Sequence, residues 1–185
     1  MTTQGSAKQP TAELDDRYSS ALNPRPGAAA ATATEWDQAQ QHLEAAGIFW
    51  LSTARPDGRQ HVTPVIAAWH EGVLYFSTGT HEQKAKNLAH DGHCALTTGG
   101  NSLTEGLDLV VEGTAQRVAD PAALEVMITA YEAKYRSHIT SPEGTFHGIG
   151  DAIRGGHVAA FAVTPAAAYG FGRNGGVYTH TRWTF

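Results

Sequence analysis

Three tight reversals constrain this chain more than any other feature. Arg55-Pro56-Asp57-Gly58-Arg59 places Asp-Gly between two apolar runs, Glu71-Gly72 turns the next run back, and Arg173-Asn174-Gly175-Gly176 repeats the device near the C-terminus. Asp-Gly and Asn-Gly supply the positive φ that two-residue hairpin turns need, and such turns join antiparallel neighbours. Strands are expected at Ile48 to Thr53, His61 to Trp69, Val73 to Ser77, His93 to Thr98, Leu107 to Val118, His157 to Thr164, Tyr169 to Phe171 and Val177 to Phe185. Leu109, Val111, Gly113 and Ala115 alternate along the longest of these, which gives it one polar face. Helices fall between them. One starts after Thr34, with Glu35 and Asp37 in its first turn, and stops at Gly47; a second opens near His81 and ends around His90. A third opens at Pro121 and carries Leu124, Met127, Ile128, Tyr131 and Tyr135. These strands, mostly in hairpin succession with helices at the corners, favour a closed antiparallel barrel of mainly β, α+β character over a doubly wound sheet.

A length of 185 residues suits one domain with a substantial core. Residues 1–33 differ in composition, being rich in Ala, Thr, Ser, Gln and Pro, and Asn23-Pro24-Arg25-Pro26-Gly27 breaks any helix. They are expected to form a flexible arm, mobile or laid on a partner surface, ahead of a domain over 34–185. Residues 137–156 hold Ser, Pro, Gly and His without a pattern and are expected to be a long loop or lid. A formal net charge of −5 argues against nucleic-acid binding. The single cysteine, Cys94, has no internal disulfide partner, which points to the cytoplasm. No apolar run approaches the ~20 residues that a spanning helix needs, so no membrane is expected.

The richest functional signal is the segment from Val73 to Leu88. An apolar strand runs into Ser77-Thr78-Gly79-Thr80 and then opens a helix containing Gln83, Lys84, Asn87 and Leu88. Amides at such a junction lack intrahelical partners and point along the positive end of the helix dipole, where a phosphate or carboxylate is held well. Lys84 sits about one turn in, and Asn87 follows on the same face. The same residues also read as a capping box, Thr80-x-x-Gln83, with solvated lysines. Both readings stand on the sequence.

Together with Leu51-Ser52-Thr53-Ala54-Arg55-Pro56-Asp57-Gly58-Arg59, His61-Val62-Thr63-Pro64-Val65, Leu74-Tyr75-Phe76-Ser77-Thr78-Gly79, Gln83-Lys84-x-x-Asn87-Leu88 and Thr181-Arg182-Trp183, the chain from about Glu35 to Phe185 resembles the pyridoxamine-phosphate-oxidase-like split barrels. This is a family of flavin and deazaflavin oxidoreductases. The resemblance implies a six-stranded antiparallel split β-barrel of the FMN-binding type, forming a homodimer with two coenzymes in clefts between subunits. It implies that Thr63, Pro64, Val65 and Ile66 lie along the coenzyme ring. Ser77, Thr78, Gly79, Gln83, Lys84 and Asn87 would hold the ribityl chain and phosphate, and Arg182 and Trp183 of the partner would close the cleft. The oxidase proper places Ser-Arg-Lys where this chain has Glu82-Gln83-Lys84, so one cation is missing and a negative charge is added. Arg55, Arg59 and Arg182 are the candidates to replace that cation. The C-terminal region also lacks the oxidase's substrate-binding pattern, which sets pyridoxamine phosphate aside. Thr-Pro-Val followed by Lys-x-x-Asn-Leu is more similar to the branch using the deazaflavin F420, with FMN as the alternative; a few members bind haem or other ligands.

Hydride chemistry of this kind is carried by the ring, so no nucleophile–base–acid set is required of the protein. No residue is assigned as catalytic; His61 and Tyr75 are conceivable proton donors, but each reads more simply as a strand residue. The ten histidines, His81, His90, His93, His138, His147 and His157 among them, form no His-x-x-x-His pair, and one cysteine gives no thiolate set, so no metal is expected. Two functions remain open: an oxidoreductase acting on a small planar acceptor, and a module that carries a flavin, deazaflavin or haem without turnover.

Overall fold

The computed structural model describes residues 9–17, 19 and 30–185. The strands are β1 (Thr11–Leu14), β2 (Phe49–Ala54), β3 (Gln60–Val65), β4 (Ala67–His70), β5 (Val73–Gly79), β6 (His93–Thr98), β7 (Gly106–Val118), β8 (Val158–Asn174) and β9 (Val177–Thr184). The helices are α1 (Trp36–Ala45), α2 (Gln83–His90), α3 (Pro121–Tyr135), α4 (Ser137–Thr140) and α5 (Ile149–Arg154). All strand pairings are antiparallel. The main path runs β1-β9-β8-β7-β6-β2-β3, and the β4–β5 hairpin joins it through β5 on β8. The path does not return on itself: the barrel is split, not closed. Gly58 and Gly72 at the first two hairpins, and Gly175 and Gly176 at the last, all have positive φ, as the turns require.

Four local expectations are revised. Within the stretch expected to be a flexible arm, Thr11–Leu14 pair with Leu14↔Thr181 through Thr11↔Thr184 as an edge strand; Asn23 to Gly27 lie outside the described residues. The run from His61 to Trp69 divides into β3 and β4 at Ile66, so one strand serves two neighbours. The two strands expected over 157–171 are one, β8, because a register shift opposite Glu112/Gly113 takes up Ala166 beside Pro165 and lets the ladder continue. The 137–156 loop contains α4 and α5, and Ile139 (4% exposed) and Ile153 (2%) anchor it to the core, which is not the behaviour of a lid.

Two apolar clusters follow from the alternation. Phe49, Leu51, Leu74, Phe76, Leu96, Leu109, Val111 and Val163 fill the barrel, and Trp36 of α1 closes one end of it. Its ring meets Trp69, Trp183 and Phe185 edge-on at centroid distances of 5.7, 5.4 and 4.9 Å, the offset geometry that aromatic quadrupoles favour. On the outer face, Met127, Ile128, Tyr131 and Tyr135 of α3 pack against Ile66, Ala68 and Ala160. Asp120 caps α3 by accepting from the Ala123 amide at 2.9 Å, with Pro121 in the first turn. Lys134 joins the layers: its ammonium donates to Leu43 O in the last turn of α1 (3.0 Å) and to Ala67 O (2.8 Å), over the Phe49 ring at 4.8 Å.

Candidate functional site

β5 alternates strictly, so neighbouring residues of the predicted site point opposite ways. Phe76 and Thr78 face the barrel; Ser77 faces α3, beside the Tyr131 hydroxyl, which donates to Ile66 O at 3.1 Å. Burial pushes the Tyr131 phenol upward, against hydrogen bonding from Ser77, and Tyr75 is likewise raised by burial. At the end of the strand the chain reverses through Thr80 and His81 into α2.

Here one residue organises the geometry. Glu82 precedes the first residue of α2 and folds back: its Oε1 accepts the Gly79 N–H at 2.9 Å, while its Oε2 takes the Lys84 ammonium as an ion pair. Gly79 makes room for it, since a Cβ there would lie 2.9 Å from Oε1. The Thr78 hydroxyl, buried at 5% exposure, faces the same carboxylate and favours its ionised form without reaching hydrogen-bond geometry. The Lys84 ammonium holds the Glu82 carboxyl below the usual range; desolvation opposes this, and the Gly79 amide assists. Lys84 is 7% exposed, unusual for a lysine, so its ammonium is held by the fold at a fixed place. The capping box expected from Thr80-x-x-Gln83 does not form: α2 begins at Gln83 and has no side-chain cap. Gln83 instead reaches along the helix, its amide donating to Asn87 Oδ1 at 2.7 Å.

Asn87 is fully buried and donates to Thr53 Oγ1 on β2 at 2.9 Å, and that hydroxyl makes a long contact of 3.4 Å with His61 O on β3. A polar chain therefore runs from α2 across β2 to β3. It brings Gln83, Lys84 and Asn87 to the β2–β3 hairpin that carries Thr63, Pro64 and Val65. Along β3, Thr63 lies opposite Leu51 and Pro64 opposite Trp50. Thr63 is on the inner face, half-buried; Pro64 is on the outer face, exposed, at the end of the strand path where its missing N–H is tolerated. Val65 and Ile66 are both 7% exposed and belong to the two cores.

Arg182 and Trp183 are not part of this constellation within one chain. Arg182 pairs across from Tyr169, eleven residues along β8 from Val158, the partner of Gly79, a strand path of about 36 Å. Trp183 is 0% exposed, its indole N–H donating to Thr34 O at 3.2 Å, so its ring is committed to its own core and leaves no surface to close a partner's cleft. Arg59 forms a local ion pair with Asp57 at 2.8 Å.

The arrangement can do one thing chemically: offer an amide and a fixed ammonium to an anionic oxygen. The Glu82 carboxylate takes up both donors, one oxygen on each. A groove of about 720 Å³ elsewhere, between residues 30–34 and the β8–β9 hairpin, includes none of these residues. On the outer face of the β2–β3 hairpin, Trp50 (52% exposed) and Val62 (54%) stand outward with Pro64, and Ile48 (48%) precedes them. Trp50, one of four sparse tryptophans, reads from sequence as a core or interface candidate; Val62 gave no signal, because it alternates with core residues as any strand residue does. Among the described residues no three His, Cys, Asp or Glu side chains converge as a metal set, and no helix is long and apolar enough to cross a membrane.

Residues 36–170 match the pyridoxamine 5'-phosphate oxidase family. The chain belongs to that family. Solved structures similar to this split barrel include the conserved hypothetical protein Rv2991 from Mycobacterium tuberculosis, at 19% identity and TM-score 0.65, covering 80% of this chain and 90% of that one. A heme binding protein from Mycobacterium smegmatis matches at 13% identity and TM-score 0.60, over 79% of this chain and 57% of its own. A FAD-binding protein from Mesorhizobium loti matches at 12% and 0.56, over 80% and 95%. No curated protein matches the sequence. The pyridoxamine 5'-phosphate oxidase fold is thus shared with proteins whose ligands differ, and the residues at the seat must decide what this member takes.

Proposed function

We propose that the chain is a flavin- or deazaflavin-dependent oxidoreductase of the cytoplasm, transferring hydride to a small planar organic acceptor, with F420 or FMN as coenzyme. The observation that supports this is the anion seat of Gly79 and Lys84, a buried ammonium and a backbone amide already converging on a carboxylate. When bound, the coenzyme ring supplies the hydride chemistry. The chain's own residues bind and orient: Lys84 and the Gly79 amide take the charged tail, the Gln83–Asn87–Thr53 chain holds α2 against the hairpin, and β3 offers its open edge to the ring. Amides at that edge favour negative charge where it develops. The outward face of Ile48, Trp50, Val62 and Pro64 is covered by a second copy, which completes the cleft, with Arg182 and the other surface cations reaching it from the partner.

Fluorescence quenching on adding FMN and, separately, F420 tests this, with binding tighter than about 100 µM expected for one of them. Lys84→Ala weakens that ligand by about 1.5–3 kcal/mol through loss of a charge-assisted bond. Unchanged affinity in the variant moves the tail away from Lys84 and refutes the site. A second reading, a carrier of flavin, deazaflavin or haem, is favoured by Glu82, which already counters the one buried ammonium. Steady oxidation of bound reduced coenzyme by quinones, enones or nitroaromatics rules that reading out.

A further inference from the structure

Glu82 occupies the seat with both oxygens, one on the Gly79 amide and one on the Lys84 ammonium. Lys84 cannot follow a ligand outward, since its side chain is 9% exposed, whereas the Glu82 side chain is 51% exposed and has solvent to turn into. Gly79 lacks the Cβ that would otherwise press on that carboxylate, and the buried Thr78 hydroxyl faces it without completing a hydrogen bond. The seat therefore holds one positive charge that is already matched by one negative charge on a hinged side chain.

We infer that Glu82 is the charge-selecting residue of this site: its carboxylate stands in for the ligand's anionic tail, so a doubly charged phosphate monoester must displace it, while an uncharged or singly charged tail is admitted at little cost. The inference rests on the proposed flavin or deazaflavin reading and deepens it. A phosphate monoester carries nearly two negative charges at neutral pH. Glu82 opposes it twice, by engaging Lys84 and by repelling the phosphate from a few ångströms away after turning out. An uncharged tail meets neither effect.

Two flavins that differ only in the phosphate, FMN and riboflavin, separate these effects. In the wild-type protein their dissociation constants fall within about threefold of each other, because the phosphate gains little net attraction. Glu82→Gln keeps an acceptor for the Gly79 amide and removes the charge; it tightens FMN by about tenfold or more, the worth of a freed charge-assisted hydrogen bond, and leaves riboflavin within about twofold. Glu82→Ala gives the same direction without the amide contact, and circular dichroism verifies that both variants are folded. In Glu82→Gln combined with Lys84→Ala the gain for FMN disappears. If wild-type protein binds a flavin or F420 but Glu82→Gln leaves FMN unchanged or weaker, charge selection by Glu82 is overturned and the coenzyme reading stands. If no flavin or deazaflavin binds to the wild type or to any variant, the coenzyme reading falls and this inference with it.

Discussion

Replacing Asn87 by alanine removes the side chain that hydrogen-bonds α2 to β2 of the barrel. Asn87 is fully buried, accepts from Gln83 Nε2 at 2.7 Å and donates to Thr53 Oγ1 at 2.9 Å. Two lost hydrogen bonds account for about 1 kcal/mol each. Thr53 is 2% exposed and keeps only its 3.4 Å contact with His61 O, so its hydroxyl becomes underbonded at a further cost of about 1 kcal/mol. The sum is about 3 kcal/mol, or about 6–12 °C in Tm for a chain of this size. Urea denaturation at pH 7 measures it, run as a double-mutant cycle with Thr53→Val. The two substitutions should couple by about 1–2 kcal/mol, because each removes the other's partner. A loss under about 1 kcal/mol for Asn87→Ala, or strict additivity with Thr53→Val, refutes the tether and returns Asn87 to the ligand-binding side of the helix.

Three further outcomes follow from the geometry. Burial lowers Lys134 from 10.5 to about 8, so between those values the unfolded chain holds a proton that the folded chain has released; stability relative to Lys134→Met therefore rises as pH climbs from 8 toward 10, and a flat difference in denaturation midpoint removes the argument. Burial also pushes the Cys94 thiol up to about 12; at pH 8 the native protein should react with iodoacetamide about a thousandfold more slowly than the urea-unfolded chain, measured by mass spectrometry. Trp50→Lys with Val62→Lys places two ammonium groups on the exposed hairpin face; sedimentation velocity should show the proposed dimer replaced by a folded monomer, and a dimer that persists places the interface elsewhere.

Much of the barrel was legible because its turns carry their own chemistry. Asp57-Gly58 and Asn174-Gly175 specify reversals locally, and the alternation around Leu109 and Val111 needs no knowledge of a partner strand. The long strand β8 was not legible as one element: Thr164-Pro165 reads as an end, and only the shifted register opposite Gly113 shows how the ladder passes a residue without an N–H. The helices in 137–156 were hidden for a related reason. Each is a few residues long, too short for a period to appear, and is held by isoleucines (Ile139 in one, Ile149 and Ile153 in the other) that join the α3 cluster only after folding.

That Gly79 and Lys84 come from one strand–turn–helix segment was legible; how the side chains around them are arranged was not. A strand, a glycine and a lysine one turn into a helix are enough to propose an anion seat from sequence order alone, since the amide donors and the ammonium come from the same short segment. What the segment does with its own side chains depends on three dimensions. Glu82 reads as a charge adverse to phosphate, yet the absence of a Cβ at Gly79 turns it back onto the amide and Lys84. Asn87 lies on the same side of the helix as Lys84, but Thr53, 34 residues earlier in the chain, draws it inward. Trp183 shares a motif with Arg182, but adjacent residues on a strand face opposite ways, so one enters the core and the other the surface. A family motif therefore transfers the backbone frame of the seat with more fidelity than the roles of its side chains. The side chains that differ, Glu82 first among them, are where this chain's ligand preference has to be decided.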